Sequence, residues 1–368
     1  MAQRSHLVLF GGFLGAGKTS AMIAFAGWLA EQGIRAGFVT NDQGSDLVDT
    51  QLLRHCGLQT EEVSGGCFCC RFDDLVDATH RLRAVMRPDV FAAEAVGSCT
   101  DLAATVIHPV RRLLGDQCTV GPLSVMVDPR RATELLLTRT GPGFSEDIQY
   151  VFRKQLEEAD LIVVNKSELL SGSLRESLGA VLREHSPAAD VLFVSVERGE
   201  GLAGWFHRLL YDEPRIRPTM DVDYDRYATG EADLGWCNAT VRVESVNAND
   251  GNVLLSGLAG ALRQRFSARH ATIAHLKMTL DAGNDLAAIN LVGNDVEPES
   301  ALRMKSPVVS ARLTINVRAE SAPEAVADDV HASLAALGGW RCHVERLESF
   351  RPGRPQPTHR DSITPSSI

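Results

Sequence analysis

A short apolar run, Leu7-Val8-Leu9-Phe10, leads into Gly12-Phe13-Leu14-Gly15-Ala16-Gly17-Lys18-Thr19, and Lys18 opens a stretch with helical spacing. Strand, glycine-rich turn and helix, in that order, constrain this chain more than any other stretch of it. The pattern G-x-x-x-x-G-K-[ST] needs a backbone that curls its N–H groups around an anion. It also needs glycines that tolerate the curl, and a helix N-terminus whose positive end faces the same anion. Gly12, Gly15, Ala16 and Gly17 form that cradle. Lys18 reaches the β/γ oxygens, the Thr19 hydroxyl is a ligand for Mg²⁺, and Ser20 completes the first helical turn. The motif points to a nucleoside triphosphate without naming its base, and it commits the N-terminus to a βα unit.

The rest of the first 211 residues continues the alternation. Further strands are expected at 37–40, 90–93, 124–127, 161–164 and 191–194, all continuously apolar as strands covered on both faces are. Helical patterns fall between them, at 18–32 (Met22, Phe25, Ala26 and Leu29 on one face) and at 148–159. That alternation predicts an α/β fold, a P-loop NTPase-type doubly wound, mostly parallel sheet with helices on both faces. Ligands of such sheets bind beyond the C-terminal strand ends. Residues 212–235 hold Pro214, Pro218 and an excess of acids, and read as an acidic linker. Asp221, Asp223 and Asp225 alternate like a calcium loop, but Arg226 stands where that loop needs glycine. Residues 236–350 read as strand 239–246, helix 250–268, strands 273–280, 287–292 and 308–317, helix 322–337 and strand 342–347. This is a smaller ferredoxin-like α+β domain with one added strand. Residues 351–368, with four prolines, are expected to be a disordered tail.

Composition excludes several classes. The 37 basic and 47 acidic residues leave a net charge of -10, which speaks against a nucleic-acid or anionic-membrane partner. No run approaches the ~18 apolar residues of a membrane span. The eight cysteines therefore belong to a reducing, cytoplasmic setting rather than a disulfide framework. Only five of the basic residues are lysine (Lys18, Lys154, Lys166, Lys277 and Lys305), so each is worth locating.

Two further motifs carry chemistry. Asn165-Lys166-Ser167-Glu168 follows the expected strand 161–164. An N-K-x-D at this place binds guanine, the acid accepting from two guanine donors while the asparagine and the lysine stem hold the ring; here the acid is Glu168, one methylene longer. Ser195, at the next strand end, is a fourth base-side candidate. Gly65-Gly66-Cys67-Phe68-Cys69-Cys70 places three thiols within four residues. Adjacent Cys69 and Cys70 cannot bridge each other without severe strain. Three thiolates this close call for a soft cation, Zn²⁺ or a similar metal, and three ligands leave one position open. A redox pair or packing cysteines are the competing readings.

The order GGFLGAGKT, Asn41-Asp42-Gln43-Gly44 with Asp49, GGCFCC, Glu94-Ala95-Val96-Gly97 and NKSE resembles the CobW-type GTPases over residues 1–211 or so. The resemblance implies that Cys67, Cys69 and Cys70 bind Zn²⁺ or Co²⁺. It places Asp49 in a switch segment near Mg²⁺, makes Glu94 the acid that organises Mg²⁺ or the attacking water, and sets Gly97 by the γ-phosphate. Asp42 stands where the family has glutamate. It further implies a slow GTPase, cycling between GTP and GDP, that hands its metal to a client metalloprotein or cofactor enzyme, with a homodimer admissible. A GTP-gated assembly factor for a cofactor enzyme, and a P-loop ATPase or kinase, are the alternatives. The family's histidine-rich loop is missing, and the C-terminal half departs from the family pattern.

Overall fold

The computed structural model describes residues 4–44, 47–138 and 143–364. The chain divides into two units, one of residues 1–43, 56–227 and 354–368, the other of residues 44–55 and 228–353.

The first unit is built on β1 (Ser5–Gly12), α1 (Lys18–Glu31) and β2 (Ala36–Asn41). Helix α2 (Val48–His55) follows and belongs to the second unit. Next come β3 (Thr60–Val63), α3 (Phe72–Met86), β4 (Val90–Glu94), α4 (His108–Leu114), β5 (Cys118–Val120), β6 (Ser124–Val127) and α5 (Pro129–Ala132). The series continues with α6 (Glu146–Glu158), β7 (Leu161–Val164), α7 (Gly172–His185), β8 (Asp190–Phe193) and α8 (Leu202–Tyr211). The sheet runs β3-β2-β4-β1-β6-β7-β8, with β5 beside the start of β1, and every pairing is parallel. Its central strands are buried throughout apart from the half-buried His6 of β1, which explains their apolar sequence. Phe10 stands edge-on to Phe25 of α1 and Trp205 of α8, and Trp205 Nε1 donates to Ser124 Oγ at 3.0 Å. That bond satisfies the indole inside the core. The strands expected at 124–127 and 161–164 fall on those residues. β3 and β5 were not anticipated; they are only four and three residues long.

The boundary between the units falls within α9 (Tyr224–Ala232). The second unit goes on through β9 (Leu234–Asn249), α10 (Gly251–Ala268), β10 (Ile273–Asp281), β11 (Leu286–Leu291), β12 (Glu299–Leu302), β13 (Val308–Glu320), α11 (Pro323–Ala335) and β14 (Arg341–Phe350). The antiparallel sheet runs β12-β11-β10-β13-β9-β14. Taken alone, β9, β10, β13 and β14 have the βαββαβ order 4-1-3-2, so the ferredoxin-like reading holds; β11 and the unanticipated β12 extend the edge. One face is apolar: Val241, Val243, Leu313, Ile315 and Met278 pack under Leu258 and Leu262 of α10 and Val330 of α11. The other face carries Asn238, Thr240, Lys277, Thr279, Thr314 and Asn316, which register as cross-strand neighbours. Helix α2 uses that polar face. Asn316 Oδ1 accepts from Val48 N at 3.0 Å, and Gln51 bonds both Thr279 and Thr314. Lys277 Nζ lies 2.6 Å from Asp49 Oδ1, with both side chains mostly buried.

Two expectations are corrected. Residues 212–235 are not a free linker. Arg215 and Arg217 pair with Asp190 and Asp160 of the first unit, Asp223 Oδ1 caps the start of α9 by accepting from Asp225 N and Arg226 N, and α9 occupies the rest. Those backbone bonds make Asp223 a helix-starting residue rather than part of a calcium loop. Nor are the described residues of the tail disordered. Residues 354–363 lie along the first unit through a run of specific hydrogen bonds.

Glu158, at the end of α6, is fully inside the first unit and accepts from Thr100 Oγ1 and Ala103 N, each at 3.1 Å. Burial, reinforced by the neighbouring Asp101 carboxylate, pushes its carboxyl from an ordinary 4.5 up to about 8. The folded chain therefore keeps a proton that the unfolded chain has already lost between those values, so this residue's contribution falls as pH rises from 4.5 to about 8. Urea unfolding of Glu158→Gln across that range should show a shallower loss of stability than wild type. A second measurement concerns α2: a double-mutant cycle on Asp49→Asn and Lys277→Met should return a coupling of about 0.5–3 kcal/mol in thermal or urea unfolding.

Candidate nucleotide and metal site

Every motif of the first unit follows a strand of one parallel sheet, so all leave at its C-terminal edge. The phosphate loop follows β1, Asn41 ends β2, the cysteine loop follows β3, and Glu94 ends β4. Asp128 follows β6, Asn165 follows β7 and Ser195 comes two residues after β8.

In the phosphate loop Gly12, Gly15 and Gly17 take left-handed φ values of 117°, 81° and 91°. Space forces glycine too: a Cβ on Gly12 would sit 2.1 Å from the Met126 carbonyl oxygen, and one on Gly17 2.5 Å from Asn165 Nδ2. Gly17 precedes α1 with no side-chain cap, which leaves the helix N–H groups available to an anion. Lys18 is buried and its Nζ donates to Gly12 O at 2.8 Å, so its ammonium is held over the loop. Thr19 Oγ1 donates to Glu94 Oε1 at 3.2 Å. The structure thus brings together the hydroxyl and the acid assigned to the metal-bearing corner of the nucleotide site, a pair of hard oxygen donors that suits Mg²⁺. A Cβ on Gly97 would lie 2.9 Å from Leu14 N, so glycine lets the loop after β4 approach the phosphate loop.

The base side is organised by Asn165. Its Nδ2 donates to Ala16 O at 3.1 Å and its Oδ1 accepts from Val196 N at 3.1 Å, tying the phosphate loop to the turn after β8. Lys166 takes a left-handed φ of 52° and its Nζ lies 3.4 Å from Asp128 Oδ2. Glu168 Oε2 is buried and has no hydrogen-bond partner among the described residues. A carboxylate oxygen in that condition is costly unless a ligand's donors meet it. Ser195 also organises its own turn. It is fully buried, its N–H donates to Glu200 O, and its Oγ accepts from Arg198 N, so it builds the turn that supports Val196.

The cysteine loop is shaped by a residue whose role sequence reasoning did not assign. Asn41 Nδ2 donates to Val63 O (2.9 Å) and Gly66 O (2.7 Å), while its Oδ1 accepts from Phe68 N at 2.9 Å. One buried amide thus satisfies three backbone groups of the loop. Cys67 and Cys69 are joined as a disulfide, and Cys70 Sγ lies 3.4 Å from Cys67 Sγ and 3.7 Å from Cys69 Sγ. All three sulfur atoms stay within 4.8 Å of one another, so the reduced loop converges three soft donors on one point, which fits a Zn²⁺-type cargo. The remaining cysteines offer no second cluster among the described residues. Burial pushes Cys118 up to about 11 and Cys237 up to about 12, which marks them as packing residues.

Asp49 is not assembled with Thr19 and Glu94 in one unit. It belongs to the second unit, where Lys277 holds it. Asp128, which accepts from Arg130 N and Arg131 N and meets Lys166, and Gln155, whose Nε2 donates to Gly97 O and Cys99 O, are further positioning residues. Neither carries a local motif, so only their contacts reveal them.

The phosphate cradle, the Thr19–Glu94 corner and the Asn-Lys-x-acid loop define a P-loop nucleotide-binding protein. The family model for the CobW/HypB/UreG nucleotide-binding domain matches residues 6–193, half of the chain, and the chain belongs to that family. A zinc chaperone CobW of Sinorhizobium sp is 31% identical over 181 residues, covering 44% of this chain and 51% of the relative. A zinc chaperone CobW of Pseudomonas aeruginosa is 28% identical over 220 residues, covering 51% and 56%. Zinc chaperone YeiR of Escherichia coli is 27% identical over 182 residues, covering 48% and 50%. The chain spans about half the length of the curated relatives it matches. Among solved structures, the Zn(II)-bound YjiA GTPase of E. coli is 16% identical, with a TM-score of 0.39 over 91% of this chain and 99% of that one. Scores at that level are too low to add to the family assignment. No helix among the described residues is long and apolar enough to cross a membrane.

The close fit at Gly17 gives a direct test. Gly17→Ala combines a strained φ with a clash against Asn165, a cost of ~1–3 kcal/mol for the backbone alone. A fluorescent guanine nucleotide should bind it at least about tenfold more weakly than wild type, with little change in far-UV circular dichroism.

Proposed function

We propose that the chain is a GTP-binding, slowly hydrolysing metal carrier. In this reading it holds Zn²⁺ or Co²⁺ on Cys67, Cys69 and Cys70 and delivers the ion to a client protein. The observation that carries it is the convergence of three sulfur atoms on a loop of the same sheet edge that bears the phosphate cradle. The names of the curated zinc-chaperone relatives agree with it.

Guanine is the proposed base because Glu168 Oε2 is a buried acceptor awaiting donors and the N1–H and exocyclic amine of guanine supply two. Thr19 and Glu94 would hold Mg²⁺, which supplies charge neutralisation at the β/γ oxygens when bound. Lys18 and the backbone N–H groups of 15–19 share that role, so hydrolysis rests on positioning and electrostatics. Asp49 enters as a switch residue near Mg²⁺. Metal capture needs the reduced cysteine loop, since a bridged pair offers no thiolates.

Three measurements test the reading. Under reducing conditions the protein should bind about one Co²⁺ with a thiolate-to-metal absorption band, and the combined Cys67→Ser, Cys69→Ser, Cys70→Ser variant should lose it; full binding by that variant would refute the carrier role. In nucleotide competition GTP should displace a fluorescent guanine nucleotide far better than ATP, and Glu168→Ala should erase most of that preference; a clear preference of the wild type for ATP would favour the kinase or ATPase alternative. Metal titration with a GTP analogue, with GDP and with neither should give different affinities, because a ligand with equal affinity for both states shifts nothing.

A further inference from the structure

Residues 354–363 form an extended strap on the first unit that touches two loops at once. Prolines at 352, 355 and 357 favour an extended backbone and remove N–H donors. Within Pro355-Gln356-Pro357 only Gln356 has a backbone N–H, and it donates to Cys70 Sγ at 3.1 Å. Thr358 N donates to Cys69 O at 2.8 Å and Thr358 Oγ1 to Cys70 O at 3.2 Å. His359 stands edge-on to Phe72, the first residue of α3, with ring centres 5.1 Å apart.

The next residues hold the other loop. Arg360 Nε donates to Asp101 Oδ2 at 2.7 Å, and Asp361 N donates to Ala104 O at 2.9 Å. Asp101 ends the segment that begins at Glu94 and passes Gly97. It is almost fully buried, has a left-handed φ of 66°, and also accepts from Tyr224 Oη at 2.7 Å. Arg112 clasps the Asp361 carboxylate with two bonds, and Thr219 and Ile363 exchange two more, so the strap is fastened beyond both loops.

A continuous path therefore runs within one unit. It starts at Leu14 of the phosphate loop, crosses to Gly97 and Asp101, passes through Arg360 and Thr358, and reaches Cys69 and Cys70. We infer that the 354–363 strap couples the two sites, with Arg360 and Gln356 as positioning residues that transmit movement of the 94–101 loop to the cysteine loop. This rests on the metal-carrier reading. A γ-phosphate that draws Gly97 toward it moves Asp101, and Asp101 carries Arg360 with it. The Gln356 N–H and the Thr358 bonds then shift against the cysteine loop, changing how firmly it holds an ion.

The test uses the full-length protein, Gln356→Pro and Arg360→Met. Gln356→Pro removes one N–H from a segment already flanked by prolines, so it keeps the question open even if Arg360→Met, which bares the buried Asp101, fails to fold. Co²⁺ affinity is read from thiolate absorption with a GTP analogue and with GDP, and nucleotide affinity from a fluorescent analogue. Wild type should show a ratio of metal affinities between the two states of ~5-fold or more. Each folded variant should still bind Co²⁺ and nucleotide, with that ratio reduced toward one; a merely structural role would shift both states together and leave the ratio intact. A wild-type ratio that persists in either variant melting like wild type overturns the strap and leaves the carrier reading standing. A ratio of one in wild type removes nucleotide coupling itself, and the strap with it.

Discussion

A parallel sheet delivers the end of every strand to the same edge, and the rest of this molecule depends on that constraint. Eight parallel strands leave no other place for the loops after β1, β3, β4 and β7 to go. Close approach of those loops is then limited by side-chain volume. The chain meets the limit with glycine where loops touch: Gly12 against Met126, Gly17 against Asn165, Gly97 against Leu14. These contacts make the phosphate loop, the base loop and the loop after β4 one mechanical body. A methyl group at any of the three would separate them.

Most of this was legible in the sequence because it is written locally. Continuous apolar runs gave away the central strands, and residues 12–19, 67–70 and 165–168 each declare their chemistry within a few positions. What could not be read is what depends on partners far along the chain. Asn41 looked like an ordinary loop residue, yet it holds the cysteine loop through groups 22 to 27 positions away. Lys277 seemed to have no role among the five lysines, and its partner Asp49 is 228 positions distant. The tail misled in the same manner. Four prolines suggest a chain that cannot build its own ladder, which is correct, but its donors and acceptors are met by the first unit instead. Proline content predicts extension, not the absence of a place to lie.

The cysteine loop shows how one motif can serve two chemistries. Three sulfur atoms within 4.8 Å can share an ion or pair among themselves, and the choice is set by the redox environment rather than by the fold. Asn41 and the strap bond to main-chain groups of the loop and to Cys70, not to the sulfurs of Cys67 and Cys69. Of the three sulfur atoms only that of Cys70 is engaged by this scaffold, through the Gln356 N–H.

The second unit has a constraint of its own. Residues 44–55 are joined by the chain to β2 and β3, yet their hydrogen bonds run to the polar face of the second unit's sheet: Val48 to Asn316, Gln51 to Thr279 and Thr314, Asp49 to Lys277. That sheet has one apolar face committed to α10 and α11, and spends the other on this one helix of eight residues. Drawing α2 away from that sheet would break the mostly buried ion pair between Asp49 and Lys277.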